Sequence, residues 1–268
     1  MGSLTDTILP ILREASEAIL EIYSDASRFL TELKSDDSPL TAADQKSNQI
    51  IIKRLATAFP TIPVISEESK QISFEERVHF QQYFLVDPLD GTKEFIKRNG
   101  EFTINIAYMD GAHPVGGFLY VPCKGLAYVA EKGSGAFRIN STNEITELRT
   151  KPFYLMQAGI KVVASRSHWD PRTEKVISKL QQPEIISVGS ALKFLLIADG
   201  KAEFYPRYGP TMEWDTAAAQ CILEEAGGSV IQTEKLSPLI YNKPDLRNPH
   251  FMAFGTLMDP ELLQIISE

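Results

Sequence analysis

The sequence predicts a layered α+β / α/β chain: an antiparallel sheet with two helices packed on it, then a half in which strands and helices alternate. Three observations carry this. Apolar residues recur at helical spacing near the N-terminus. Short apolar runs, separated by Gly- and Pro-containing turns, crowd residues 83–139. Strand-like and helix-like segments then take turns from Lys161 to Ala226. The polar, weakly patterned stretch from Ser141 to about Pro152 puts a domain boundary near residue 150, giving domains over 1–150 and 151–268.

Ile8, Ile11, Leu12, Ala15, Ala18, Ile19 and Ile22 form one apolar stripe, so a helix is expected from Ile8 to Ile22, with Pro10 in its first turn. Lys34 to Thr41 is polar and turn-prone, hence a loop. Thr41 can cap a helix reaching about Phe59, and Asp44 is then a favourable anion in its first turn. Pro63 to Ser66 reads as a short strand ending in Glu67 and Glu68, which face opposite sides. Tyr83 to Val86 is a bulky apolar strand; Pro88, which cannot donate to a ladder, is expected to stop it at Asp87.

Strands at Phe102–Tyr108, Pro114–Val121, Leu126–Ala130 and Ala136–Ile139 complete the antiparallel meander. Beyond the boundary, strands at Lys161–Ser165, Glu184–Val188 and Ala202–Tyr205 alternate with three helices. These start near Pro171, at Gly189-Ser190 (through about Ala198) and at Glu213, the last closed by Gly227-Gly228 after Ala226. A strand at Phe251–Phe254 and a helix from about Asp259 end the chain.

At 268 residues, with 43% hydrophobic and 23% charged residues, the chain can bury a sizeable core. A net charge of −8 argues against broad attraction to nucleic acid, so an anionic substrate must be held by local cations or metal. Two cysteines, Cys123 and Cys221, do not make a disulfide framework. No apolar run is long enough to span a membrane, and the N-terminus lacks an export pattern. The cytoplasm is the expected location, with peripheral association at the inner membrane face as its variant.

The chemistry gathers where the apolar run meets Asp87-Pro-Leu-Asp-Gly-Thr92. Asp87 and Asp90 crowd one tight turn with the Leu89 carbonyl between them. Paired anions at a strand end need a positive charge beside them. Oxygen-only ligands suit Mg²⁺, which binds few carboxylates and keeps water and phosphate as its other ligands.

The full string Asp87-Pro-Leu-Asp-Gly-Thr92 resembles the signature of the lithium-sensitive, Mg²⁺-dependent phosphatases of the inositol monophosphatase superfamily. With Lys93-Glu-Phe-Ile-Lys-Arg-Asn-Gly-Glu-Phe-Thr103 attached, it is similar to the 3'(2'),5'-bisphosphate nucleotidases of the CysQ type. Glu213-Trp-Asp-Thr-Ala-Ala218 resembles the family's second signature, and Glu67, twenty residues before Asp87, matches its metal-binding glutamate. The resemblance implies the layered αβαβα sugar-phosphatase fold across nearly the whole chain.

It also implies a site. Glu67, Asp87 and the Leu89 carbonyl would bind one Mg²⁺, and Asp87, Asp90 and Asp215 a second, within a total of two or three ions. A water activated by the metals and aligned by Thr92 with Glu67 or Asp44 would attack phosphorus in line. Glu67, Leu89, Asp90, Asp215 and the Gly91 and Thr92 amides would face the phosphate. Ser165, His168, Ser190, Lys193 and Arg207 match the stretches that grip the nucleotide. The implied reaction is removal of the 3'-phosphate from adenosine 3',5'-bisphosphate, extending to 3'-phosphoadenylyl sulfate and so to sulfur assimilation. The alternatives are an inositol or sugar monophosphatase with the same metals, and a non-catalytic nucleotide sensor. The expected partner is a small-molecule nucleotide, not nucleic acid, and the oligomeric state is left open.

Overall fold

In the computed structural model, described residues are 2–24, 31–33, 39–165 and 170–264. Helix α1 covers Ser3–Ser24, a full turn earlier than its apolar stripe implies, so Pro10 lies inside it. The proline is exposed, where the carbonyl left without its helical donor can turn to water. Ile8, Ile11, Leu12, Ala15 and Ile19 are buried. Each of the buried isoleucines and the leucine contributes about 1.5–3 kcal/mol of burial energy. Of the stretch expected as loop, Pro39–Thr41 instead forms strand β2, antiparallel to β1 (Thr31–Leu33), and residues 34–38 lie outside the described residues. Helix α2 (Ala42–Ala58) follows as expected.

Strand β3 (Val64–Ser66), the short helix α3 (Phe74–Arg77) and β4 (Gln82–Asp90) lead to the central turn. Pro88 does not stop β4. Asp87 pairs with Asn105 and Asp90 with Thr103, so Pro88 and Leu89 bulge out between two ladder pairs, where no proline N–H is missed. After α4 (Thr92–Ile96) come β5 (Thr103–Asp110), β6 (His113–Val121), β7 (Leu126–Glu131), β8 (Ala136–Ile139) and β9 (Ile145–Leu148). Strand β9 falls in the stretch taken as a boundary; as an edge strand it buries only Leu148, so its residues show no alternation. The seven-stranded sheet runs β3 to β9 in sequence order, and it is not wholly antiparallel, because β3 lies parallel to β4.

The second half contributes β10 (Pro152–Phe153), β11 (Lys161–Ser165), α5 (Pro171–Ser178), β12 (Glu184–Val188), α6 (Leu192–Ala198), β13 (Phe204–Arg207) and α7 (Glu213–Glu225). It ends with β14 (Ser229–Gln232), β15 (Phe251–Phe254) and β16 (Thr256–Leu257). The five-stranded sheet has the order β12-β11-β13-β15-β14, parallel through β13 and antiparallel beyond it. Helix α6 starts at Leu192, later than expected, because Ser190 takes a left-handed conformation (φ +46) that breaks the helical run. Where a helix is expected from about Asp259, the described residues show a 3₁₀ turn at Pro260–Leu262 that passes into helical residues 263–264.

Helices α1 and α2 cover one face of the large sheet, with Ile8, Ile11, Leu12, Ile51 and Leu55 packed on Phe84, Ile104, Ile106 and Phe118. On the other face α7 lies directly on β6. A Cβ at Gly117 would sit 2.3 Å from the Ala218 carbonyl oxygen, so only glycine allows that approach. One apolar cluster joins Leu85, Leu119 and Val121 of the large sheet to Ala217, Ile222, Phe194, Tyr205 and Phe251 of the second half. The layers therefore stack as helix, sheet, helix, sheet, helix. The ends of β4, α6, β13 and α7 meet between the two sheets.

Candidate active site

A cavity of about 280 Å³ opens at that meeting point. Glu67, Asp87, Leu89, Asp90, Gly91 and Thr92 line it from the first half; Ser190, Lys193, Arg207 and Asp215 line it from the second. Each arrives for a local reason. Glu67 follows β3, its N–H held by the Val86 carbonyl at 3.1 Å. The bulge turns Asp87 and Asp90 toward the cavity, and Asp87 Oδ1 accepts the Leu89 N–H at 3.0 Å. Ser47 Oγ donates to the Pro88 carbonyl at 2.8 Å and anchors the bulge from α2. Gly91 (φ +96) turns the chain into α4, and its missing Cβ leaves room for the Glu101 carbonyl and the Ser190 side chain. Asp215 sits in the first turn of α7, where its Oδ2 accepts the Met212 N–H at 2.9 Å.

The carboxylates repel one another. Burial raises Asp87 well above its ordinary range, and Glu67, Asp90, Asp215 and Asp44 add to the shift. Burial likewise raises Asp215, followed by the charges of Asp90 and Glu67. Asp90 is raised by burial too, but Lys193, the Ala191 N–H, Asn105 and Arg207 pull it back. Such a set is costly unless a cation enters it. Among the described residues, no three His, Cys, Asp or Glu side chains form a metal-holding cluster by themselves. The carboxylates and the Leu89 carbonyl at the cavity are all oxygen donors, the chemistry that suits Mg²⁺, which keeps waters and phosphate oxygens among its ligands.

The same cavity is also lined by basic groups. Lys193 is only 7% exposed, not solvated, and its Nζ donates to the Ser190 carbonyl at 2.6 Å. Burial, with a smaller push from nearby Arg207, lowers its pKa to about 8 against the attraction of Asp90, Glu94 and Asp215. Arg207 closes β13 and donates to the Pro210 carbonyl at 3.0 Å. Ser190 Oγ is buried without a hydrogen-bond partner among the described residues. Phe194, Tyr205 and Phe251 also line the cavity, as a cluster with ring centres 5.4–5.8 Å apart.

One expected residue falls elsewhere: Asp44 is fully buried in α2 and does not line the cavity, though its charge reaches Asp87. Ser165 ends β11, and its side chain, like the whole of His168, lies outside what the structure describes. Sequence reasoning missed Asn105, buried opposite Asp87 in β5, and the lining residues Glu94, Phe194, Tyr205 and Phe251. Asn105 offered one signal: an amide in the middle of an apolar strand needs a polar partner.

Residues 2–259 match the inositol monophosphatase family. Over 249 residues, 92% of this chain and 98% of the relative, the sequence is 40% identical to the 3'(2'),5'-bisphosphate nucleotidase CysQ of Shigella flexneri. The crystal structure of CysQ from Bacteroides thetaiotaomicron, described as a bacterial member of the inositol monophosphatase family, superposes with a TM-score of 0.83 at 40% identity. That match covers 95% of this chain and 97% of that one. An IMPase/NADP phosphatase complexed with Mg²⁺ and phosphate shares the fold, with a TM-score of 0.79 at 20% identity, covering 98% of this chain and 94% of that one.

Proposed function

The chain belongs to the inositol monophosphatase family, and from that premise we propose that it is a 3'(2'),5'-bisphosphate nucleotidase. It is a phosphoric monoester hydrolase of a metal-dependent family. The substrate is adenosine 3',5'-bisphosphate, which loses its 3'-phosphate to give AMP and phosphate; 3'-phosphoadenylyl sulfate carries the same ester. One observation supports this choice above others: a single cavity is lined both by the carboxylates Asp87, Asp90 and Asp215 and by the cations Lys193 and Arg207. The acidic groups suit a metal-clamped phosphate, and the basic groups suit a second one.

Glu67, Asp87, the Leu89 carbonyl, Asp90 and Asp215 would hold two or three Mg²⁺. When bound, the ions supply charge for the phosphoryl oxygens and a lowered pKa for the attacking water. The protein supplies position. Thr92, whose Oγ1 lies 3.5 Å from the Leu89 carbonyl oxygen, and Glu67 orient the water. Asp44 acts from behind through its charge on Asp87. Lys193, Arg207 and the free Ser190 hydroxyl bind the 5'-phosphate and fix the 3'-ester for in-line displacement. The aromatic backing lowers the local dielectric, which strengthens these charge contacts. Among the described residues no helix is long and apolar enough to cross a membrane, and a cytoplasmic enzyme is consistent with that. The test is phosphate release from the bisphosphate against adenosine 3'-monophosphate: a clear preference for the former supports the reading, and equal rates oppose it.

A further inference from the structure

Ser190 has a left-handed backbone that a non-glycine residue adopts only under constraint. The constraint comes from the other half of the chain. The amide after Ser190, that of Ala191, donates to Asp90 Oδ2 at 2.6 Å, and the amide before it, that of Gly189, donates to Glu101 Oε2 at 2.9 Å. Asp90 is also a proposed metal ligand, so its carboxylate is shared; Glu101 is not. Glu101 is itself fixed, because Asn99 Oδ1 accepts its N–H at 2.9 Å and Asn99 Nδ2 donates to the Glu94 carboxylate. The contact is close-packed: a Cβ on Gly189 would lie 2.6 Å from Glu94 Cγ. Any shift of this turn would move the Ser190 hydroxyl and the Lys193 ammonium together, since Lys193 Nζ is tied to the Ser190 carbonyl.

We infer that Glu101 is a positioning residue for nucleotide recognition, holding the Gly189–Lys193 turn in place and so setting selectivity for esters that carry a second phosphate. This rests on the bisphosphate nucleotidase reading. Glu101 is not among the residues that line the cavity, and it reaches the turn through the Gly189 amide. An ester without a second phosphate makes no use of the Ser190 hydroxyl and Lys193, so its KM does not depend on Glu101, while the separate bond from the Ala191 amide to Asp90 keeps the metal side in register.

The experiment is steady-state hydrolysis of adenosine 3',5'-bisphosphate and adenosine 3'-monophosphate, with Mg²⁺, by wild type, Glu101→Ala and Glu101→Gln. Glu101→Ala is expected to raise KM for the bisphosphate about tenfold, the worth of one charge-assisted hydrogen bond. Its kcat should stay within about twofold, and KM for the monophosphate should not move. Glu101→Gln keeps an acceptor oxygen and recovers most of the loss. Asn99→Ala, which frees the Glu101 backbone, shifts the same KM ratio in the same direction and serves if Glu101→Ala folds poorly. Parallel losses on both substrates, or an unchanged KM ratio in Glu101→Ala and Asn99→Ala, overturn the inference alone. A wild-type enzyme with no preference for the bisphosphate overturns the activity reading and the inference with it.

Discussion

Asp90 Oδ2 accepts the Ala191 N–H at 2.6 Å, so a carboxylate at the end of β4 holds the residue that leads into α6. The same carboxylate belongs to the acidic groups of the cavity, and Lys193 lies two residues beyond its backbone partner. Metal side and substrate side are thereby joined through one side chain.

That coupling makes the carboxylates a source of pH-dependent instability without metal. Asp87, Asp90 and Asp215 have folded-state pKa values above the ordinary 3.8. A raised value means their contribution to stability is full below about 3.8 and is lost as pH rises through the folded values. Asp215→Asn keeps an acceptor for the Met212 N–H while removing one charge. In EDTA at pH 7 it is expected to melt a few degrees higher than wild type, and to gain less when Mg²⁺ is added. A lower melting temperature in EDTA would show that repulsion does not dominate at this site.

Lys193 gives a second pH dependence, in binding instead of stability. Its pKa is lowered from 10.5 to about 8, so the positive charge is present below that value and fades as pH rises through it. KM for the bisphosphate should therefore climb above about pH 8. Lys193→Met should raise KM at pH 7 by roughly tenfold and remove the alkaline climb. An alkaline limb that persists in this variant assigns the titration to another group.

Gly117 tests the support of the site. Its Cβ would meet the Ala218 carbonyl at 2.3 Å and Cys221 Cβ at 3.0 Å, forcing α7 off β6. Gly117→Ala is expected to cost about 1–3 kcal/mol in urea unfolding and to lower kcat by displacing Asp215. Unchanged stability would mean that α7 is free to shift.

The acidic side of the site was legible because its residues lie in contiguous strings: Asp87 to Thr92 around one turn, and Glu213 to Ala218 at one helix start. The run of β4 past Pro88 was not, since a bulge depends on the register of the partner strand β5. Lys193 is singled out only by its match to the family's nucleotide-gripping stretch; its burial follows from α6 packing between two sheets, which no local pattern encodes. Asp44 illustrates the reverse case, since a helix-capping position and a near-metal role predict the same residue while only the fold sets its depth. The Glu101–Gly189 contact joins residues 88 apart in sequence, beyond the reach of any periodicity.

The central claim is tested most directly by phosphate release from adenosine 3',5'-bisphosphate and from inositol 1-phosphate, in Mg²⁺ or EDTA, for wild type and Asp90→Asn. The account predicts fast, Mg²⁺-dependent release from the nucleotide that EDTA abolishes and that Asp90→Asn lowers by about a thousandfold. Faster release from inositol 1-phosphate would contradict the substrate assignment, and no release from either ester would contradict the enzyme.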